Sequence, residues 1–266
     1  MRFASLGSGS GGNALVVEAG ASRVMVDCGF SVEETDRRLA RIGLFAGDLA
    51  GIVVTHEHGD HADGAIPFAR RHALRVWMTH GTLRASGTLR ASGTLRATTG
   101  GGAPDPVVTV IDSHAPFAVG DLEVAPFPVP HDAREPVQLV LGDGVRRVGV
   151  LTDIGASTRH VETMLSGCDA LVLECNHDER MLADGPYPGW LKARVGGPFG
   201  HLANTAAAQL LAALDRSRLR HVVAAHLSDK NNRPELARAA LAGVLGCAAD
   251  WVGIAEQAIG FDWREI

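Results

Sequence analysis

The richest chemistry in the sequence lies in the consecutive residues His-Glu-His-Gly-Asp-His at positions 56–61. They follow the apolar run 51–55 directly, and that run has the pattern of a buried strand. Because alternate side chains of an extended chain point the same way, His56 and His58 can reach one point in space. Asp60 and His61 lie beyond a glycine and can face a second point nearby. Burying these groups together without a cation would be costly, so the segment predicts a metal site.

Three further candidate ligands stand where apolar, strand-like runs end. His131 follows the run EVAPFPVP, Asp153 follows VGVLT, and His226 follows HVVAA. Because ligands at the ends of several strands converge on one sheet edge, we expect these side chains near the first cluster. A donor set of imidazoles and carboxylates without thiolate suits Zn²⁺ best and could also hold Mn²⁺ or Fe.

Asp27 ends another strand-like run, in the segment VMVDCG. An aspartate at this place could hold the outer N–H of a ligand histidine and so orient its ring. It could equally form the turn before Gly29. Both interpretations stay open from the sequence.

The elements that must position these residues are strands first and alternating helices and strands later. The first half consists mainly of short β-branched runs separated by glycine-rich turns, and 107–151 is strand-like again. Ser31 and Glu34 form the pattern of a capping box at the start of a helix. Further helices are expected at 157–166, at 202–214 and from Pro234. Two β-rich halves joined to helices favour an α/β fold of stacked sheets with helices outside, in one domain over 1–266.

The composition excludes several classes of protein. The 266 residues are 46% hydrophobic and 21% charged, which is the balance of a globular protein. The net charge of −5 argues against coating nucleic acid through a global positive field, although a local basic cleft could bind it. The four cysteines form no C-x-x-C pair, so we expect neither a disulfide scaffold nor a thiolate zinc finger. With no signal-peptide pattern and no membrane-length apolar run, we expect a cytoplasmic protein without a membrane partner.

Two other segments need an interpretation. Residues 81–98 read GTLRAS, GTLRAS and GTLRAT, which we expect to be a duplicated hexamer that lengthens a surface helix or loop. The alternative is a phosphate-contacting arm formed by the arginines Arg84, Arg90 and Arg96. Residues 7–12 satisfy the dinucleotide pattern G-x-G-x-x-G, but two β-branched runs follow where that pattern needs a helix. We therefore expect these glycines to form a tight turn near the metals.

The succession H-x-H-x-D-H, a lone histidine, T-D-x-G and a late A-H resembles the metallo-β-lactamase-fold hydrolases. More narrowly, GSGSGGN, VDCG, PHDAREP, ECNHDERML, GHLAN and HLSDKNNRPELA resemble its YycJ/WalJ-like branch over almost the whole chain. The resemblance implies an αββα sandwich of two mixed β-sheets flanked by helices, with a dinuclear metal site at the sheet edges. It also implies a hydrolase of the nuclease or phosphodiesterase type. The hexamer repeat after His80 departs from the family pattern.

The resemblance divides the candidate ligands between two ions. One ion would be held by His56, His58 and His131, the other by Asp60, His61 and His226, with Asp153 bridging both. Asp60 would also orient the nucleophile. Two divalent ions about 3.5–4 Å apart can generate a bridging hydroxide at neutral pH and stabilise the attacking and leaving oxygens.

The resemblance also implies substrate contacts. His177 and His201 are not needed as ligands and would hold a phosphate or protonate the leaving oxygen as a general acid. The sequence itself suggests a second phosphate contact at the helix that begins at Pro234, because a helix N-terminus beside metals attracts anions. Its flanking candidates are Lys230, Asn231, Asn232 and Arg233.

Alternatives remain within and outside this interpretation. The missing signal peptide, and an aspartate at 153 where a thiolate is expected in lactamases, argue against a secreted β-lactamase. A glyoxalase II-type thioesterase or another small-molecule ester hydrolase shares the ligand set and is the main alternative. The NHD, GHLAN and KNNR segments favour a phosphodiester in nucleic acid. A non-catalytic metal-binding module would bind the ions and hydrolyse no ester.

Overall fold

The computed structural model describes residues 1–86 and 107–266, and their strands form two sheets of seven strands each. The first sheet contains β1 (Arg2–Gly7), β2 (Ala14–Ala19), β3 (Ser22–Val26), β4 (Gly51–Val53), β5 (Arg75–Thr79), β6 (Val108–Ile111) and β14 (Phe261–Glu265). The second contains β7 (Phe117–Val119), β8 (Leu122–Pro128), β9 (Val137–Gly142), β10 (Arg147–Leu151), β11 (Ala170–Glu174), β12 (His221–Ala225) and β13 (Gly253–Ile254). The helices are α1 (Val32–Arg41), α2 (Gly59–Ala62), α3 (Ala65–His72), α4 (His80–Ala85), α5 (Arg159–Leu165), α6 (Glu179–Asp184), α7 (Gly189–Val195), α8 (Asn204–Ala213) and α9 (Pro234–Leu245), with 3₁₀ turns at Ala46–Asp48 and Ala249–Trp251.

Both sheets are mixed and divide their strand directions in the same way. In the first sheet, β14, β1, β2 and β3 are antiparallel neighbours, and β3 to β6 are parallel neighbours. In the second sheet, β7 to β10 are antiparallel and β10 to β13 are parallel. The mixed two-sheet sandwich that the sequence predicts is therefore confirmed.

Three layers of apolar side chains hold the sheets and helices together. The middle layer lies between the sheets and contains side chains of both, such as Val26 and Val150. Their chain neighbours Met25 and Leu151 belong to the two outer layers, which also contain residues of the helices. Because alternate residues of a strand face opposite sides of a sheet, the continuous apolar runs in the sequence mark strands buried on both faces.

The helices predicted from the sequence form, with small shifts at their ends. Those expected in the last third are α5, α8 and α9, and α9 begins at Pro234. Ser31 caps α1, since its hydroxyl accepts a hydrogen bond of 3.3 Å from the Glu34 backbone N–H. The Glu34 carboxylate accepts hydrogen bonds from Arg37 and Arg38. Only the Ser31 half of the predicted capping box is therefore present.

Two expectations from the sequence concern segments at the surface. The first hexamer copy lies in α4 and the residue after it, whereas the later copies, with Arg90 and Arg96, fall outside the described residues. Neither interpretation of the repeat is tested for those copies. Within residues 1–86 and 107–266, no helix is long and apolar enough to cross a membrane.

A buried carboxylate, Asp169, ties the start of β11 to β10. It accepts hydrogen bonds from the Arg147 backbone N–H (2.9 Å), from Arg146 Nη1 (2.9 Å) and from Arg218 Nη2 (3.0 Å). Burial alone would raise the pKa of Asp169, but these hydrogen bonds lower it. The ionised form therefore stabilises the fold.

Replacing this carboxylate, as Asp169→Asn, is expected to lower the free energy of unfolding by about 1–3 kcal/mol at pH 7. Because the folded-state pKa is lowered, the contribution is present above the unfolded-state pKa of about 3.9 and disappears as the pH falls through the folded-state value. Urea denaturation at pH 7 and at acidic pH measures both effects. Asp184→Asn, at a side chain that is 76% exposed, is the control and should change little. A stability difference that persists in acid would contradict the assignment.

Candidate metal centre

The predicted ligands meet at one edge of the sandwich, where the chain leaves its strands in an uncommon backbone conformation. Asp27 follows β3, Asp153 follows β10 and His226 follows β12, and their φ angles are 59°, 59° and 54°. This left-handed conformation costs a residue with a Cβ about 1–2 kcal/mol. Among the described residues the one other non-glycine case is Ala73, at the end of α3. Backbone strain is thus concentrated at this edge, as it often is where side chains must be aimed.

The first group of potential ligands consists of His56, His58 and His131. The ring centroids lie 4.6 Å apart for His56 and His58, and 4.9 Å apart for His58 and His131. Nε2 of His131 is 3.2 Å from Nδ1 of His58. On the far side of the His131 ring, Nδ1 is 3.0 Å from the carbonyl oxygen of Gly200, to which it can donate a proton. With its proton on Nδ1, the His131 ring directs the lone pair of Nε2 toward this group.

The second group consists of Asp60, His61 and His226. Oδ2 of Asp60 lies 3.3 Å from Nε2 of His226 and 3.5 Å from Nε2 of His61. Asp153 lies between the two groups. Its Oδ2 is 2.7 Å from Nε2 of His61, and its Oδ1 is 3.8 Å from Nε2 of His131. One carboxylate therefore borders both clusters of donors.

One buried atom of these groups shows that the residues fit a metal. Nε2 of His56 has no hydrogen-bond partner, whereas Oδ2 of Asp153 is paired with Nε2 of His61. An unpaired buried polar atom costs about 1–3 kcal/mol. Four sets of three or more donors in this region can approach a single point. Converging lone pairs of imidazole and carboxylate are the chemistry that binds Zn²⁺ and similar divalent ions.

The same groups shift one another's pKa. Burial alone would lower the pKa of His61, but the carboxylates of Asp153 and Asp27 raise it well above its ordinary value. Burial, and then the neighbouring His61, lowers the pKa of His56 well below its ordinary value. Burial would raise the pKa of Asp153, but His226 and His61 bring it far below. Protons on some imidazoles thus balance the carboxylates, a task that a cation performs when it binds.

Asp27 supports the second group from behind. Its Oδ2 lies 2.8 Å from Nδ1 of His61 and can accept the ring proton, and its Oδ1 accepts a hydrogen bond of 2.8 Å from the Thr55 backbone N–H. This contact leaves Nε2 of His61 facing Asp153 and fixes the plane of the ring. Of the two interpretations of Asp27, the contact with a candidate ligand histidine is the one that the structure contains.

Glu174 is a site residue that the sequence analysis missed. This fully buried carboxylate accepts hydrogen bonds from the backbone N–H groups of Ile154 (2.8 Å) and Leu202 (3.2 Å). Its Oε1 lies 2.8 Å from Nδ1 of His201 and 3.3 Å from Nδ1 of His226. Glu174 ends β11, between the strands that carry Asp153 and His226, so the strand-end argument could have found it.

Asn13 is a second missed residue. Its Nδ2 donates to the backbone oxygen of Asp60 (3.2 Å) and to the Asp60 carboxylate (3.3 Å), while its Oδ1 accepts from the Gly9 N–H (2.9 Å). Nearby, a Cβ on Gly29 would stand 1.9 Å from the Asp60 carbonyl oxygen. The glycine-rich turn expected near the metals therefore lies directly against the segment that carries Asp60.

A cavity of about 380 Å³ opens onto these donors. The donors that line it are His58, Asp60, Asp153 and His226. Tyr187, together with Leu191 and Arg194 of α7, lines it from the other side. A substrate in this cavity would contact the metal-binding groups and α7 at once.

The predicted substrate histidines differ in the cavities that they line. His201 lines the cavity and also borders a second cavity of about 390 Å³. His177 lines the second cavity, together with Lys192. The structure therefore brings His201 to the donors and places His177 behind it.

The predicted phosphate contacts before α9 are also divided. Asn231 and Asn232 are buried, and Asn232 exchanges hydrogen bonds of 2.8 and 2.9 Å with Asn204. Neither asparagine lines either of the two cavities. Lys230 and Arg233 are exposed on the same turn. Their roles toward a substrate stay predictions.

Known proteins share the sequence and the fold of this chain over most of its length. The sequence model of the β-lactamase superfamily domain matches residues 22–227. The exodeoxyribonuclease YycJ of Bacillus anthracis is 34% identical over 92% of this chain and 89% of its own. The exodeoxyribonuclease WalJ of Streptococcus pneumoniae serotype 2 is 28% identical over 95% and 91%. The metallo-β-lactamase fold protein YhfI of Bacillus subtilis superposes with a TM-score of 0.72 at 16% identity, over 99% of both chains, which shows a common fold.

Proposed function

The chain belongs to the β-lactamase superfamily, in the branch of the YycJ and WalJ exodeoxyribonucleases, and is a metal-dependent hydrolase; from this premise we propose that it cleaves phosphodiester bonds at DNA ends with two divalent ions. The observation that carries the proposal is the pair of donor groups that border Asp153 and open into one cavity. The names of the relatives support DNA as the substrate.

In this proposal each ion takes three ligands of its own and shares a fourth. His56, His58 and His131 would hold one ion, Asp60, His61 and His226 would hold the other, and Asp153 would contact both. Zn²⁺ is the ion that this donor set suits best. The unpartnered Nε2 of His56 supports the assignment, because a bound cation would give it a partner.

Bound divalent ions supply a water acidic enough to attack at neutral pH, together with charge that stabilises the phosphate oxygens. The chain's own residues orient the reaction. Asp27 and the Gly200 carbonyl fix the rings of His61 and His131 from behind. Asp60 lines the cavity, so its carboxylate can also accept a hydrogen bond from the attacking water.

His201 is the proposed general acid. Glu174 holds Nδ1 of its ring, so Nε2 is the nitrogen left to donate a proton to the leaving oxygen. Burial would lower the pKa of His201, but Glu174 and Asp153 raise it, which favours the protonated form. An acid held in this way protonates the oxygen at the moment the P–O bond breaks.

The proposal is tested with DNA labelled at its 5′ or 3′ end and incubated with protein loaded with Zn²⁺ or Mn²⁺. Release of mononucleotides, with one end lost first, is the expected result and also gives the polarity. S-lactoylglutathione is the parallel substrate. If S-lactoylglutathione is hydrolysed and no nucleotide is released, the protein is a thioesterase and the proposal is wrong. If the protein binds metal but hydrolyses neither substrate, it is a metal-binding module.

His177→Ala is expected to leave the metal content unchanged and to lower turnover about 5-fold, the effect of one neutral hydrogen bond. The reason is its position, since His177 lies in the second cavity, with Nδ1 3.3 Å from Oδ1 of Asn176. Elemental analysis and the nucleotide-release rate measure the two effects. Loss of metal from this variant would show that His177 has been wrongly placed outside the ligand set.

A further inference from the structure

The segment 187–199 covers the cavity opposite the donor groups. Tyr187, Leu191 and Arg194 line the cavity; Tyr187 lies just before α7, and the spacing of three residues places Leu191 and Arg194 on one side of the helix. Lys192, on another side of the helix, lines the second cavity. No residue of α7 is fully buried, so the helix lies on the molecule as a surface element between two cavities.

This segment contains an unusual share of the exposed aromatic rings. In the described part of the chain, four phenylalanine or tryptophan side chains are exposed: Phe45, Trp190, Phe199 and Trp251. Trp190 is 69% exposed and Phe199 is 59% exposed, and both lie in this segment. Tyr187, the single tyrosine of the sequence, lies there too. Aromatic side chains are only 5% of the residues, so three rings within one segment that borders the cavity are an unusual concentration.

Contacts connect the segment that carries these rings to the cavity wall. Trp190 precedes Arg194 by four residues, which puts both on the same side of α7. Arg194 Nε lies 2.6 Å from Oδ2 of Asp132, another residue of the cavity wall. The backbone N–H of Asp132 donates to the carbonyl oxygen of Phe199 at 2.9 Å. The segment that carries these rings is therefore tied to the cavity wall at Asp132, and Tyr187 itself lines the cavity.

The charges of the segment fit a nucleic acid strand. Residues 186–200 contain Lys192 and Arg194 and no carboxylate, in a chain whose net charge is −5. The sequence has two lysines in all, and the other one, Lys230, is exposed near Ser228 of the cavity wall. Aromatic rings interleaved with cations are the pattern by which proteins stack unpaired bases while they track a phosphate backbone.

We propose that Tyr187, Trp190 and Phe199 form a base-stacking platform, which takes the unpaired terminal bases of the DNA strand whose end lies in the metal cavity. The inference rests on the proposed function and names how that site holds its substrate. A cavity of about 380 Å³ has the volume of a small-ligand site, so it accepts a strand end and not a paired duplex. Bases next to that end must therefore be unpaired, and their exposed faces need a partner.

Trp190→Ala tests the platform by binding. The probe is a fluorescent single strand with phosphorothioate linkages at its ends, bound to metal-loaded protein and followed by anisotropy. Loss of one stacked base weakens binding by about 10-fold, and Trp190→Phe, which keeps a ring, should restore most of it. Phe45→Ala is the matched control, because Phe45 is 74% exposed but lies before the first 3₁₀ turn and outside the segment 187–199, and it should bind as the wild type does. Thermal unfolding and metal content verify that each variant is folded and loaded.

A second probe makes the test specific to bases. In this strand the terminal nucleotides are abasic, so the phosphates remain and the ring faces are gone. The wild type should bind it about 10-fold more weakly than the normal strand, and Trp190→Ala should show no further loss, because both changes remove the same contact. Equal binding of both strands by the wild type, or an equal loss on both strands in Trp190→Ala, would overturn the platform.

The two proposals can fail separately. If the wild type degrades DNA but Trp190→Ala and Phe199→Ala bind the normal strand unchanged, the platform is wrong and the nuclease stands. The exposed rings would then belong to a contact with another protein. If the wild type releases no nucleotide from any DNA, the proposed function is wrong and the platform that rests on it is overturned as well.

Discussion

Asp60→Ala is expected to reduce DNA hydrolysis by about 10³-fold or more and to lower the bound metal from two equivalents to one. The carboxylate lies 3.3 Å from His226 Nε2 and 3.5 Å from His61 Nε2, so its loss removes one donor from the second group. It also removes the oxygen that would orient the attacking water. Elemental analysis after desalting and the nucleotide-release rate measure the two losses.

Asp63→Ala is the matched control for this variant. Asp63 lies three residues further along, at the end of α2, and its side chain is exposed and outside the donor groups. It should retain both metal equivalents and most of the activity. If Asp60→Ala kept two ions, or if His177→Ala lost as much metal as Asp60→Ala, the division between ligands and substrate residues would be wrong.

His201→Gln is expected to lower kcat on DNA by about 10²-fold or more while the metal content stays unchanged. The imidazole is held by Glu174 at 2.8 Å and faces the cavity, so the variant loses the proton donor and keeps a polar side chain of similar reach. A diester with a p-nitrophenolate leaving group should suffer far less, because a weakly basic oxygen departs without a proton.

The comparison of the two substrates separates a proton donor from a structural residue. A structural role would lower both rates equally, and that result would contradict the assignment. His160→Gln is the control, since His160 is exposed on α5 and lies outside the donor groups. It should behave as the wild type on both substrates.

Much of the site could be predicted because strand ends are visible in a sequence. An apolar run that stops at a polar residue marks the place where a strand reaches the sheet edge. Applied to His131, Asp153 and His226, this rule located residues far apart in the chain whose donors lie within a few ångströms of one another. The convergence of His56 and His58 could also be predicted, because every second side chain of an extended chain points to the same side.

The remainder depended on directions that a sequence does not carry. Glu174 was overlooked although it ends a strand and opens the segment ECNHDERML, because the histidine of that segment drew the assignment and the sequence does not show that the glutamate side chain turns toward His201 and His226. Asn231 and Asn232 lie on a turn, and packing against distant residues such as Asn204 decides whether they face the interior or a substrate. Likewise, nothing local shows that the helix containing Trp190 borders a cavity.

The edge where the candidate ligands meet is also the seam between the two sheets. Asp60 and its neighbours in 56–61 follow the first sheet's β4, whereas Asp153 and His226 follow strands of the second. An ion held as proposed binds only the folded chain, in which the ends of the two sheets meet. Its binding free energy therefore adds to the free energy of unfolding. Without divalent metal the free energy of unfolding would therefore fall, and the protein would become exposed to proteolysis. Metal depletion would then lower the amount of protein as well as its activity.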